Sequence, residues 1–205
     1  IAIDNNVHLP DFRANPSIVP RADVENTVNT LLTPENFILV DDRRGHIGPD
    51  KVMDVLKWAS LKGAKVAIVD HLSFIFSGIK ASNERQEIDS LLTNLAAFAK
   101  QSGMHILAVA HITRDKNRIK PKNPDGTIKY PYWYEVDEQD GRGSGAFEQV
   151  CSNLWAIDKE VKEDGSRGLS RVKVIHNREW DLSGFGDELT IHPHTGRMVA
   201  HEGDY

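Results

Sequence analysis

The clearest periodic signal in the chain runs from Ile88 to Ala99. Ile88, Leu91, Leu92, Leu95, Phe98 and Ala99 recur at three- and four-residue intervals, which places them on one stripe of a helix. Asn83 can cap that helix, with Gln86 three residues on in the capping-box position, and Gly103 ends it. A second amphipathic helix is predicted behind an Asp50 cap, with Val52, Val55, Leu56 and Ala59 on its apolar side and Gly63 as its stop. Three other segments have a different pattern. Phe37–Val40, Lys65–Asp70 and His105–Ala110 are short, nearly continuous apolar runs, predicted to be buried strands. Apolar strands alternating with amphipathic helices predict an α/β fold, a mostly parallel sheet of right-handed βαβ units flanked by helices on both faces.

The remaining segments modify that plan. Residues 1 to about 35 are rich in Asn, Pro and Asp and are expected to be irregular, apart from a short helix hinted at by Val24, Val28, Leu31 and Leu32. From about 112 to 141 the chain is long, polar and rich in Pro, Lys and Asp, the mark of a functional or disordered loop. A short helix over Ala146–Cys151 follows. Strands are then predicted at Leu154–Asp158, Ser170–Ile175, Glu188–Ile191 and Met198–Ala200. Turn signals at Glu163-Asp164-Gly165 and His194-Thr195-Gly196 make these carboxyl-terminal strands antiparallel hairpins extending the sheet.

Composition adds bounds. A chain of 205 residues, 40% hydrophobic and 27% charged, suits one soluble domain with a sizeable core, so residues 1–205 are expected to form a single domain. Its formal net charge of −5 excludes a body that is basic throughout, so any polyanion site must be local. The one cysteine, Cys151, excludes an internal disulfide and a cysteine-based zinc site. The apolar runs fall far short of the ~20 residues that cross a bilayer, which implies no membrane partner and a cytoplasmic location, in a host cytoplasm if the gene is a phage's. The first residue is Ile, which suggests a piece of a longer protein.

Five constellations could carry chemistry. Asp70 ends an apolar strand, where nucleotide-binding α/β folds place an acid that holds Mg²⁺ against phosphates; a helix-cap role is the plain alternative. His111 ends the next strand, so it would emerge at the same sheet edge as Asp70 and could hydrogen-bond a terminal phosphate. Arg114, Lys116, Arg118, Lys120 and Lys122 fall at every second position. In extended chain they share one face at about 6.6 Å spacing, close to the phosphate spacing of an extended single strand. Tyr130, Tyr132, Trp133 and Tyr134 could stack bases, or could tuck a solvated loop onto the body. Arg142-Gly143-Ser144-Gly145-Ala146 allows a phosphate nest or a tight turn before a helix. His176-Asn177-Arg178 ends another strand, and an Arg there suits either a finger acting on a neighbour's phosphate or an ordinary surface ion pair.

The order of these pieces resembles a known family. Val69-Asp70-His71-Leu72-Ser73, Asn83-Glu84-Arg85, Ala110-His111, Arg142-Gly143-Ser144-Gly145-Ala146 and His176-Asn177-Arg178, between about Phe37 and Gly196, are similar to the RecA-like motor domain of DnaB-like hexameric replicative helicases. The phage primase-helicase and Twinkle branch is the nearest in kind. The resemblance implies that Asp70 is the Walker B acid, holding Mg²⁺ with ATP or another NTP, and that His111 is the γ-phosphate sensor. It implies that the basic loop from Arg114 to Lys122, with Arg142 and Gly143, grips single-stranded DNA in a central channel. Arg178 is implied to be the arginine finger, and His176 to stand where the family commonly has Lys. No G-x-x-x-x-G-K-[ST] occurs in the chain, and the family's Walker A segment and catalytic glutamate fall upstream of Ile1. The parent is therefore expected to be an ATP-dependent DNA helicase working as a hexamer, and the chain by itself to be inactive and possible as a monomer. The competing readings are a recombinase-type DNA-dependent ATPase, and a non-catalytic DNA-binding or assembly protein on the same scaffold. A metal-dependent hydrolase using Asp70, His71 and His111 is disfavoured, since adjacent strand residues point to opposite faces.

Overall fold

The computed structural model describes residues 7–33, 37–40, 47–76, 81–111, 120–134, 136–137, 140 and 145–201. In chain order the elements are α1 (Leu9–Ala14), a 3-10 turn (Pro16–Ile18), α2 (Arg21–Leu31), α3 (Pro49–Leu61), β1 (Val66–Val69), α4 (Leu72–Ile75) and α5 (Ala81–Ser102). They continue with β2 (His105–Ala108), β3 (Tyr132–Trp133), α6 (Gly145–Val150), β4 (Asn153–Val161), β5 (Arg167–Asn177), β6 (Gly184–Ile191) and β7 (Met198–Ala200). These form two compact units, one of residues 1–40 and 187–205 and one of residues 41–186.

In the larger unit β1 and β2 are parallel neighbours, with Ala67 opposite Ile106 and Val69 opposite Ala108. Because side chains alternate across a strand, the Ala67, Val69 and Ile106 positions pack on one side against a core of α3, α4, α5 and α6. Leu56 of α3, Leu72 and Phe76 around α4, Leu91 and Leu95 of α5 and Phe147 of α6 are its centre. The stripe read from Ile88 to Leu95 is the buried face of α5. Gly63 and Gly103, both at positive φ, follow α3 and α5 in the left-handed geometry that ends a helix at little steric cost.

Several expectations need correction. Among the described residues the β1–β2 sheet is covered on one face only: Val66 and Ile68 are 56% and 67% exposed, because α3, α4, α5 and α6 pack on the alternate residues. Nor do the described strands form one mostly parallel sheet: β1–β2 is one sheet and β3–β7 a second. Among the described residues only β1–β2 is parallel, whereas β3–β4, β4–β5 and β6–β7 are antiparallel, the last two pairs joined by the short turns that such pairing allows. Phe37–Val40 is not a strand and is exposed, since apolar composition alone supplies no neighbour to complete a ladder. Helix α3 is preceded by Gly48, not capped by Asp50, with Pro49 in the first turn where its missing N–H costs nothing. Asn83 lies inside α5, which begins at Ala81.

The smaller unit brings the two ends of the chain together. The amino-terminal segment contains the short helix expected around Val24–Leu32, here α2, and also α1, where irregular chain was expected. Leu9 N donates to His194 O at 2.6 Å, and the His8 and His194 rings lie 4.3 Å apart, which ties α1 to the turn between β6 and β7.

Candidate functional site

Asp70 and His111 leave neighbouring strands at the same edge. The parallel ladder continues past β1 and β2, with Val109 N donating to Val69 O at 2.9 Å and Leu72 N to Val109 O at 2.8 Å. Asp70 and His111 are therefore held on either side of the last ladder bonds, and both are exposed. Between them stands a residue whose part in the site its position in the sequence did not signal. The His71 ring stacks on His111 with centroids 3.9 Å apart and planes 31° from parallel. Its Nδ1 is buried and has no hydrogen-bond partner among the described residues, and a buried polar atom left so costs roughly 1–3 kcal/mol.

His176 and Arg178, at and just beyond the end of β5, turn to α6. The His176 Nε2–H donates to Cys151 O at 3.1 Å, the Arg178 guanidinium donates to Glu148 O, and Arg178 N donates to Ser152 O at 2.9 Å. The carbonyls at the end of a helix lack intrahelical donors, so His176 and Arg178 satisfy carbonyls at the carboxyl end of α6, and the Arg178 charge complements it. Burial pushes the Cys151 thiol above its usual range, and the Arg178 charge opposes that shift.

The described part of the polar loop is folded. Lys122 pairs with Ile128 across a turn, in which Asn123 N donates to Thr127 O at 2.8 Å and Lys129 N to Pro121 O at 2.9 Å. Thr127 donates to Asp125 from its hydroxyl (2.6 Å) and backbone (2.9 Å), which holds the Asp125 carboxyl below the usual range. Lys120, Lys122 and Lys129 are exposed on this hairpin. Tyr130 and Tyr132 lie with ring centroids 5.5 Å apart. Trp133 is used otherwise. It pairs with Glu160 of β4, and its ring lies 4.1 Å from the Arg171 guanidinium, which Phe185 covers at 3.9 Å from the other ring centroid. The Arg171 Nη2 donates to Asp158 at 3.0 Å, with the two side chains 12% and 0% exposed. This buried cation between two rings anchors the end of the loop to β4 and β5.

The sequence is 31% identical over 134 residues to the DNA helicase/primase of Enterobacteria phage T3, a match taking in 65% of this chain and 22% of that protein. The fold matches a DnaB-like replicative helicase, whose structure describes its interactions with primase, at a TM-score of 0.61 and 14% identity, over 96% of this chain and 45% of that one. The chain is thus similar in sequence to part of a phage DNA helicase/primase and in fold to part of a DnaB-like replicative helicase. It spans about a fifth of the curated relative and less than half of the solved one. No family model matches it.

Arg114, Lys116, Arg118, Arg142 and Gly143 lie outside the described residues, as do the side chains of Asn83, Glu84 and Arg85. Among the described residues, no group of three or more His, Cys, Asp or Glu side chains is placed to hold a metal ion, and no helix is long and apolar enough to cross a membrane. The Asp158–Arg171 pair went unread in the sequence. Its one signal is a charged residue at alternating strand positions whose other members, such as Ala156, face inward.

Proposed function

We propose that this chain is part of the ATP-dependent motor of a replicative DNA helicase, a RecA-like module that moves along single-stranded DNA as a ring of hexameric symmetry. The observation that carries the reading is the joint emergence of Asp70 and His111 from the ends of two neighbouring parallel strands, the place where open α/β sheets bind nucleotides. The residues fit Mg²⁺ in its nucleotide-bound form, which takes one or two carboxylates and otherwise phosphate oxygens and water. Asp70 is an exposed carboxylate and would hold that ion. When bound, the ion supplies charge neutralisation at the phosphates. His111 would donate a hydrogen bond to the terminal phosphate. Arg178 would leave α6 to reach a neighbouring subunit's nucleotide, and His176 would stay at the end of α6 as its support.

The test is single-stranded-DNA-stimulated NTP hydrolysis by the protein expressed from its complete reading frame. Asp70→Asn, which keeps the shape and removes the charge, is expected to lower turnover by about 10²-fold or more, as loss of one transition-state electrostatic contact commonly does. Turnover within a few fold of the parent would remove Asp70 from the reaction. A parent without DNA-stimulated turnover would favour a non-catalytic DNA-binding module. Because no phosphate-loop motif occurs in these 205 residues, the chain alone is expected to show no turnover.

For the DNA-binding face we propose Lys120 and Lys122, with Arg114, Lys116, Arg118, Arg142 and Gly143 as further members. Lys120→Ala and Lys122→Ala are each expected to weaken binding to single strands of any sequence. Each should also flatten the slope of log affinity against log salt by about 0.7, the share of one phosphate contact on a single strand. Fluorescence anisotropy between low and moderate salt measures both, and an unchanged slope would take these lysines out of the interface.

A further inference from the structure

We infer that His71 is the positioning residue of the nucleotide edge: its imidazole fixes the orientation in which His111 meets the terminal phosphate. The inference rests on the proposed function and goes beyond it, since neither the nucleotide reading nor the family likeness assigned His71 a role.

Three observations support it. The two imidazoles are stacked at 3.9 Å and 31°, close enough that rotation of His111 about its side-chain bonds would break the contact. The two partners are unequally held. His111 is exposed at the end of β2, whereas His71 is half-buried and immediately precedes α4, whose Leu72 and Ile75 are core residues. His71 is also set edge-on to Phe74 at 6.4 Å and 84°. The held ring therefore orients the free one. Finally, the buried Nδ1 of His71 has no hydrogen-bond partner among the described residues, so no hydrogen bond there accounts for the ring's placement. What the site takes from His71 is its flat face.

A sensor that recognises one phosphate must meet it at a set angle, because hydrogen bonds weaken steeply away from linearity. A freely rotating His111 would lose the preference for a nucleoside triphosphate over a diphosphate, while contacts to the rest of the nucleotide would persist. His71 thus acts on discrimination and not on binding as a whole.

The experiment is calorimetric titration of the protein from its complete reading frame, in the presence of Mg²⁺, with ADP and with a non-hydrolysable ATP analogue. His71→Ala is expected to lower the analogue-over-ADP preference by roughly tenfold, about 1.4 kcal/mol, with ADP affinity within about twofold of the parent. His71→Phe, which restores a flat ring without nitrogens, is expected to restore the preference. The double variant His71→Ala with His111→Ala should lose no more preference than His111→Ala alone, as expected for two residues acting as one unit. Equal losses for both nucleotides, an unchanged preference, or additive losses would overturn the positioning role while leaving the nucleotide site intact. Failure of His71→Phe to rescue would overturn it in favour of a role for the ring nitrogens. A parent that binds neither nucleotide would overturn the proposed function itself, and this inference with it.

Discussion

Arg178→Ala is expected to lower DNA-stimulated turnover of the assembled protein by about 10³-fold or more, the range in which arginine fingers act. Such an effect is separable from the part Arg178 plays within its own chain, where the guanidinium donates to Glu148 O at the end of α6. That local role is a cation at a helix carboxyl terminus, worth roughly 0.3–1 kcal/mol at an exposed site. Arg178→Lys separates the two. It keeps a charge beside the carbonyls, so the melting temperature should stay near the parent's, but it lacks the planar fork and should fail to restore turnover. If the finger acts on a neighbour, mixing Arg178→Ala subunits with Asp70→Ala subunits should recover part of the activity, because each supplies what the other lacks. Turnover within about threefold of the parent for Arg178→Ala, or mixtures no more active than their components, would leave Arg178 as a helix cap alone.

Asp158→Ala is expected to be the most destabilising single substitution considered, by about 3–5 kcal/mol, because it takes from the little-exposed Arg171 charge the carboxylate it donates to. The cation is already enclosed between the Trp133 and Phe185 rings, so it has little water to turn to. Urea unfolding of the chain, followed by tryptophan fluorescence, measures the shift in midpoint. Replacing both members together, Asp158→Leu with Arg171→Met, is expected to recover most of the loss, since apolar groups of similar size require no compensating charge. A loss below about 1 kcal/mol for Asp158→Ala would mean that the pair is hydrated and that the Trp133 contact, not the charge, holds the loop end.

Alternation of short apolar runs with amphipathic helices was enough to read the α3–β1 and α5–β2 units and the buried stripe of α5, because each of those signals is local and repeats over several turns. The hairpin β6–β7 was legible for the same reason, a turn signal flanked by two short apolar runs. Asp70 and His111 could be placed at one edge because residues that end neighbouring parallel strands must emerge together. What local pattern did not carry was pairing. Phe37–Val40 has the composition of a buried strand and lies exposed, because a strand exists only where another offers its backbone. The same limit hid the contact of Arg171 with Asp158, Trp133 and Phe185, which depends on the register of β4 against β5 and on where the chain re-enters the sheet after its loop. His71 was set aside as a strand residue facing away from Asp70, yet β1 ends at Val69 and alternation no longer governs the next side chains. The sequence by itself determined the α/β class, the main core helix and the emergence of Asp70 and His111 at one edge of the β1–β2 pair, since these follow from periodicities and strand ends. Only the tertiary structure decided which face of the sheet is covered, that His176 and Arg178 meet α6, and that His71 lies on His111, because each depends on distant segments meeting in one register.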